Sequence, residues 1–452
     1  MEINRRSVLT AAAATMLTTA ARPVLAAPLP SALGRDATQF GVRVNSDDDQ
    51  TAALQKAIND AARAQVPLAL PPGVFQTKTL QLPAGAQLIG VRGASRLSFI
   101  GGASLIASDD ANGLSLINLT LDGNGIPLPR RRGLIHALRG RELRIVDCSI
   151  HNSGGSGIWL ERVAGAVNGN SFLNTKETAV VSFDAAGLMI AQNTIIDTSD
   201  NGIEILRTAL GDDGTQVLDN RIEDIKAGPG GTGQHGNAIN AYRAANVIIR
   251  GNRIRNCDYS AVRGNSASNI HIVGNSVTDV REVALYSEFS FEGAVISGNT
   301  VDKAALGISV CNFNEGGRLA VVQGNIVRNM LPKRPIATAP DDDAGIGIYV
   351  EADTSVTGNV IENAPSFGII AGWGKYLRDV AITGNVIRNT AIGIGVSVAP
   401  SAGTAVIGSN MISSASRAAI VGLDHARQVT ADLSKDGAAK PPQLSLSGNA
   451  VR

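Results

Sequence analysis

The chain has 452 residues, 50 of them Gly, with 44% apolar, 4% aromatic and 17% charged residues. So aliphatic and weakly charged a composition excludes a disordered chain, and a Gly content without a three-residue period excludes collagen. Lys plus Arg number 40 against 39 Asp plus Glu, a net charge of +1; that balance argues against a nucleic-acid-binding protein, and no apolar run in the body of the chain is long enough to span a membrane as a helix.

In chain order, the first feature is Asn4-Arg5-Arg6-Ser7-Val8-Leu9-Thr10, followed by an Ala/Thr-rich stretch to Ala21 and small residues at Val24-Leu25-Ala26. A positive start, a short apolar stretch and a small-residue cleavage motif predict a signal peptide over residues 1–26. The paired Arg resemble a twin-arginine signal; a conventional secretory signal carrying two Arg is the alternative. The protein is thus expected to be periplasmic or secreted, with the twin-arginine export machinery as a partner and no membrane attachment after cleavage. Residues 27–45 read as a linker and 46–452 as one domain.

Asp47-Asp48-Asp49-Gln50-Thr51 then precedes a helical pattern over Ala52–Ala62, with Leu54, Ile58 and Ala61 on one face. This predicts an Asp-capped helix covering the open end of a repeat structure. Val66 to Leu70 and Pro71-Pro72-Gly73 supply the first strand and turn, so 46–75 forms the cap and its first strand.

From there a phrase recurs: Gly or a small polar residue, Asn, any residue, then Ile or Val. It stands at Asn170, Asn193, Asn220, Asn252, Asn275, Asn299, Asn325, Asn359, Asn385, Asn410 and Asn449, with degenerate copies at Asn118 and Cys148. Several intervals are 22 to 24 residues and the others longer, the mark of a fixed unit with loops grafted on. Alternating aliphatics precede each Asn, as in Val247-Ile248-Ile249, and a short strand follows, as in Arg253-Ile254-Arg255. A small residue plus an aliphatic comes about ten residues later, as in Gly202-Ile203 and Ala261-Val262. Three short period-2 strands per repeat predict an all-β, single-stranded right-handed parallel β-helix with an N-terminal capping α-helix. About 12 coils are countable in this way. Gly and Asn serve the sharp turns, and the Asn residues can stack and share amide hydrogen bonds. Cys148, Cys257 and Cys311 are far apart and odd in number, and read as small core residues rather than a metal cluster.

The stretch from Phe40-Gly41-Val42 through the Asp-rich cap to Leu70-Pro71-Pro72-Gly73 resembles the opening of pectate-lyase-superfamily proteins. With the paired Arg and the repeats, the whole chain resembles the Tat-translocated parallel β-helix repeat family. That group is similar to alginate C5-epimerases and other carbohydrate-active β-helix enzymes. The resemblance implies fold and export, and carries over no catalytic set.

In such a solenoid the outward residues of one strand per coil form a ladder suited to an elongated ligand. Aligning strands on the small-plus-aliphatic mark places Trp159 and Glu161, Val181 and Phe183, Glu204 and Leu206, Asn240 and Tyr242 outward. Arg263 and Asn265, Tyr286 and Glu288, Ser309 and Cys311, and Gly347 and Tyr349 follow. The middle coils make a polar, aromatic-rich patch flanked by long insertions. Aromatic faces suit sugar rings, and Arg and Asn suit carboxylates; a solvated surface strand is the plainer alternative. The expected substrate-binding residues are Trp159, Asn240, Arg243, Asn265 and Tyr349. The candidate catalytic residues are His235, Arg263, Tyr242, Tyr286, Glu204, Glu288 and Asp200.

Asp200-Asn201-Gly202-Ile203, Gln234-His235-Gly236 and Arg263 also follow the order of polygalacturonase motifs, which they resemble. They depart from them at Asn201 and Asn265, which stand where Asp and Lys are expected, and in having only Glu177 near the first carboxylate motif. Two chemistries stay open. A uronate lyase or C5-epimerase would neutralise the sugar carboxylate with Arg263, Asn240 and Asn265, use His235 or Tyr242 as base and Tyr286 as donor. A hydrolase would pair Asp200 or Glu204 with Glu288. A non-catalytic envelope binding or scaffold protein is the alternative to both. No cofactor is required. Asp341-Asp342-Asp343 offers oxygen ligands for Ca²⁺, although one short run rarely completes a site. The protein is expected to act as a monomer.

Overall fold

A computed structural model describes residues 34–334 and 344–452. The signal peptide at 1–26 and the acidic run Asp341-Asp342-Asp343 lie outside the described residues.

Each coil runs through three short strands. Ile248–Arg250, Arg253–Cys257 and Val262–Asn265 make one coil. Each strand pairs in parallel with its counterpart in the next, Ile270–Val273, Ser276–Val280 and Val283–Glu288. Repetition builds a right-handed parallel solenoid of about 14 turns. Counting Asn finds fewer because the coils before Asn170 carry Cys148 and Leu119 at the Asn position, as their shared hydrogen bonds to the following strands show.

The inward row explains the aliphatic composition. Leu68, Leu88, Leu116, Ile145, Val167 and Ile190 stack in consecutive coils, continuing to Ile382 and Ile407, all essentially inaccessible to solvent.

At the turn after this row the chain reverses through a left-handed residue. Gly251 has φ 69° there, while Gln192 and Asp219 adopt φ 56° and 54°. The Asn that follows points inward. Asn275 donates its backbone N–H and its Nδ2–H to Asn299 Oδ1 at 2.8 and 3.0 Å, and Nδ2 also to Ile249 O at 3.0 Å. The same three bonds recur from Asn170 to Asn410, so every buried amide in the column is satisfied. Cys148 stands at the head of that column, where its N–H donates to Asn170 Oδ1. All three Cys are buried and unbridged. Burial pushes the Cys148 thiol up to about 12 and those of Cys257 and Cys311 higher, so none is a thiolate at neutral pH.

The helix spans Thr51–Arg63 and buries Leu54, Ala57, Ile58 and Ala61 against the first coil. Its cap differs from expectation. Gln50 holds the N-cap position without a side-chain bond, and Asp49 accepts from Thr51 N at 2.9 Å from one residue further back. Ordered pairing also begins upstream of residue 46: Arg35–Asp36 pairs in parallel with Leu68–Ala69, and Ala37 is buried. At the other end, Leu423 and Asp424 turn back antiparallel onto Gln428 and Arg427. Asp432 then accepts from the N–H groups of Ala419 and Ile420, covering part of an edge that would otherwise offer unpaired donors. Among the described residues no helix is long and apolar enough to cross a membrane.

Candidate functional site

The third strand of each coil carries the outward ladder. Trp159, Val181, Glu204, Asn240, Arg263, Tyr286 and Ser309 are direct neighbours in successive coils. Beside them runs a second row: Glu161, Phe183, Leu206, Tyr242, Asn265 and Glu288. The alignment read from sequence slips only at the end. Ser309 faces Tyr349, not Gly347, and Ile308 faces Ile348. Gly345-Ile346-Gly347-Ile348 contains the small-plus-aliphatic mark twice, and the second copy is the structural one. Gly347 faces the interior, where a Cβ would meet Gly368 O at 2.6 Å.

The centre of the ladder divides into two clusters. The first is acidic. Asp200 accepts from His235 Nδ1 at 2.7 Å. A carboxylate only accepts, so the proton sits on Nδ1 and Nε2 is turned away from Asp200. Asn201 Nδ2 donates to Asp200 Oδ1 at 3.0 Å, to Glu204 Oε1 at 2.7 Å and to Gln234 O at 3.1 Å. One amide therefore ties the two carboxylates to the loop that carries His235. Burial raises the Glu204 carboxyl to about 7, with a further upward push from Asp200 and resistance from the Asn201 bond. Burial also raises Asp200, opposed by His235. Glu177, which adds to the upward push on Glu204, accepts from Ser156 Oγ at 3.1 Å.

The second cluster is an ion-pair network. Arg263 Nε donates to Glu288 Oε1 at 2.6 Å, and its terminal nitrogens donate to Glu288 Oε2 at 3.1 Å, Glu282 Oε2 at 3.3 Å and Gly233 O at 2.8 Å. Its guanidinium also lies 5.1 Å from the Tyr286 ring centroid. Asn265 Nδ2 adds a bond to Glu288 Oε1 at 3.1 Å, and Arg334 approaches Glu282 at 3.4 Å. Glu288 is 2% exposed. The expectation that Arg263 and Asn265 wait for a sugar carboxylate meets a physical obstacle: both are already engaged by Glu288. Likewise Glu288 is held by Arg263 on both oxygens, on the far side of Arg263 from Glu204.

The remaining predicted residues are spread along the ladder. Asn240 lies in the floor between Glu204 and Arg263. Tyr242 is half-buried beneath Arg243, whose guanidinium lies 4.8 Å from its ring. Arg243 itself sits at a left-handed turn position and donates to Thr208 O. Tyr286 OH accepts from Cys311 Sγ at 3.8 Å, and burial raises its hydroxyl well above 10. Tyr349 OH donates to Glu351 Oε1 at 2.6 Å, two coils beyond Tyr286, outside both clusters.

Residues that the sequence reading passed over connect the clusters. Asn237 donates its N–H and Nδ2–H to Asn201 Oδ1 at 2.8 and 3.1 Å, and Ser260 N donates to Asn237 Oδ1 at 3.1 Å. Ser260 Oγ then donates to Glu282 Oε2 at 3.0 Å. Their signal was available: Thr178, Asn201, Asn237 and Ser260 each stand immediately before the small-plus-aliphatic mark. Among the described residues no group of three or more His, Cys, Asp or Glu side chains is arranged to hold a metal ion.

A family model described as a right-handed β-helix region matches residues 104–234 and 209–378. No curated protein matches the chain in sequence. Among solved structures, an N-terminal fragment of bacteriophage Phi29 gene product 12 is similar at 14% identity, covering 93% of this chain and 72% of that one with a TM-score of 0.53. The catalytic unit of an α-1,3-glucanase from Streptomyces thermodiastaticus aligns at 17% identity over 94% of this chain and 70% of its own, TM-score 0.49. The A-module of a mannuronan C-5 epimerase from Azotobacter vinelandii aligns at 14% identity over 93% and 99%, TM-score 0.38. At such identities the likeness is one of fold alone.

Proposed function

The chain belongs to the right-handed β-helix family, and from that premise we propose that its outward groove binds a polysaccharide and hydrolyses a glycosidic bond with Glu204 as acid and the Asp200–His235 pair as base. The observation that carries the reading is the contrast within one hydrogen-bonded unit. Glu204 is raised to about 7, so it holds a proton near neutrality, whereas Asp200 is paired to His235. Burial raises both carboxyls, but Asp200 has the His235 N–H as a partner that opposes the shift and Glu204 has no cation among the described residues, and this difference divides the roles of acid and base. Glu204 would protonate the leaving oxygen. His235, oriented through Nδ1 by Asp200, would take a proton from water at Nε2. The uronate lyase or epimerase chemistry has weaker support, because the guanidinium meant to neutralise the substrate is already paired with Glu282 and Glu288.

The test is release of reducing ends from a panel of neutral and uronate polysaccharides. We expect Glu204→Gln to lower the rate by about 10³-fold and Asp200→Asn by about 10²-fold, the range of acid–base contributions. Activity unchanged in both variants, or absent on every polymer, overturns the reading. We further propose export through the residue 1–26 signal and action as a monomer. Replacing Arg5 and Arg6 by Lys should retain uncleaved precursor in the cytoplasm, and normal export of that variant would remove the twin-arginine route.

A further inference from the structure

Upstream of the acidic cluster the ladder changes character. His136 and Trp159 are direct neighbours in consecutive coils, three and two coils before Glu204, at about 4.8 Å per coil. His136 is 5% exposed, and neither of its ring nitrogens has a hydrogen-bond partner among the described residues. Nδ1 is wholly buried. A buried N–H without an acceptor costs more than a buried lone pair left bare, since donors are rarely orphaned. The proton therefore belongs on Nε2, which faces the more accessible side. Burial and the neighbouring Arg132 lower the ring to about 4, so it stays neutral at physiological pH. The half-buried Trp159 indole likewise has no hydrogen-bond partner among the described residues. Two donors and an aromatic face thus share one stretch of groove with nothing of the protein's own to bind.

The rim beside them is basic. Arg130, Arg131 and Arg132 form no ion pair among the described residues. The loop that carries them is fixed to the solenoid. Pro127 bridges Gly154, and Leu128 packs on the core. A Cβ on Gly154 would meet Ile126 O at 2.1 Å, so only Gly allows this approach. The cations are therefore held at the edge of the Trp159 coil, whereas Arg263 downstream is neutralised by its own Glu partners.

We propose that this upstream end is a subsite for an anionic sugar unit, in which Trp159 stacks on the ring, His136 Nε2–H donates to a ring substituent and Arg132 pairs with the sugar's carboxylate. The inference rests on the groove binding a glycan, and relocates recognition of charge from Arg263 to Arg132. Aromatic stacking gives affinity without regard to charge, and the guanidinium adds the discrimination.

The test uses the full chain carrying Glu204→Gln, so that bound oligosaccharide is not turned over. The probes are oligogalacturonate and oligomers of alginate, each alongside its carboxyl-reduced neutral counterpart, with binding measured by calorimetry. We expect at least one acidic oligomer to bind about tenfold more tightly than its reduced form. Adding Arg132→Gln should abolish that ratio while leaving binding of the reduced form unchanged. His136→Phe, which keeps the ring and removes the donor, should weaken both forms several-fold. An unchanged acidic-to-neutral ratio in Arg132→Gln overturns the subsite while leaving the groove reading intact. Binding of none of the probes, or of neutral oligomers only, overturns the anionic subsite; hydrolysis of another polymer by the unmodified protein would show that the groove reading survives it.

Discussion

Two ladders of amides run along the same solenoid, and they differ in how they repeat. In the interior column the same residue makes the same three bonds from Asn170 to Asn410. In the ladder behind the groove the residue type varies along the coils: Thr178, Asn201, Asn237, Ser260. Both satisfy buried backbone donors; Asn201 Oδ1 accepts from Asn237 N much as Asn299 Oδ1 accepts from Asn275 N. The difference lies in what else each must do. An interior amide meets an identical neighbour, so one residue type serves throughout. Asn201 must hold Asp200 and Glu204 on one side and Asn237 on the other, and its neighbours must end on Glu282 rather than on another Asn. Repetition marks stability, and its interruption marks chemistry.

That contrast can be broken by substitution. The largest effect should come from Arg263→Ala, which leaves Glu282 and Glu288 buried without their cation. Removing one partner of a buried pair costs about 3–5 kcal/mol, read as a fall in the denaturant midpoint. If Arg263 were free for substrate instead, stability would barely change. Next is Asn299→Ala. It strips Asn275 of its acceptor and should cost about 1–3 kcal/mol with no selective loss of glycan binding. Asn201→Ala should lose a similar amount of stability and additionally lower turnover; equal turnover would dissolve the distinction between the ladders.

An effect confined to one side of neutrality has a defined pH signature. Glu204 titrates near 7 in the folded protein, above its ordinary 4.5. The stability linked to its proton is fully present below about 4.5 and is lost as pH rises through about 7. Glu204→Gln keeps a neutral side chain at every pH. It should therefore be as stable as the parent at pH 4 and more stable at pH 8, by up to about 3 kcal/mol. Thermal unfolding at the two pH values reads this directly. The smallest effect is Gln192→Gly, which relieves a side chain at φ 56° and should stabilise by about 1 kcal/mol or less.

The solenoid and most of its outward register were legible because they follow from periodicity. The Asn phrase counts coils, the small-plus-aliphatic mark aligns them, and alternation fixes which residues point out. The one slip, at Tyr349, arose where Gly345-Ile346 and Gly347-Ile348 offer the mark twice and only three-dimensional pairing chooses. The partners within the site were not legible for a different reason. Arg263 beside Tyr286 follows from register, but the pairing of Arg263 with Glu282 depends on how Glu282 bends over its turn, and the bond from Asp200 to His235 depends on the path of the inserted loop. His136 is misplaced by the mark because Gly133-Leu134 carries it one residue early, whereas Ile135, preceded by Leu134 rather than by a small residue, is the one that pairs with Ile158.

The interior Asn column also gives the rod an electrical direction. Each side-chain amide donates toward the next coil and accepts from the previous one, so the carbonyls from Asn170 to Asn449 all point toward the N-terminal end. Peptide-like dipoles of about 3.5 D each, aligned head to tail, add rather than cancel. The two ends of the column are therefore unlike: at one the Asn170 carbonyl oxygen accepts from the Cys148 N–H, and at the other Asn449 accepts from Asn410 and donates back to Ile407 O, so the rod has a front and a back.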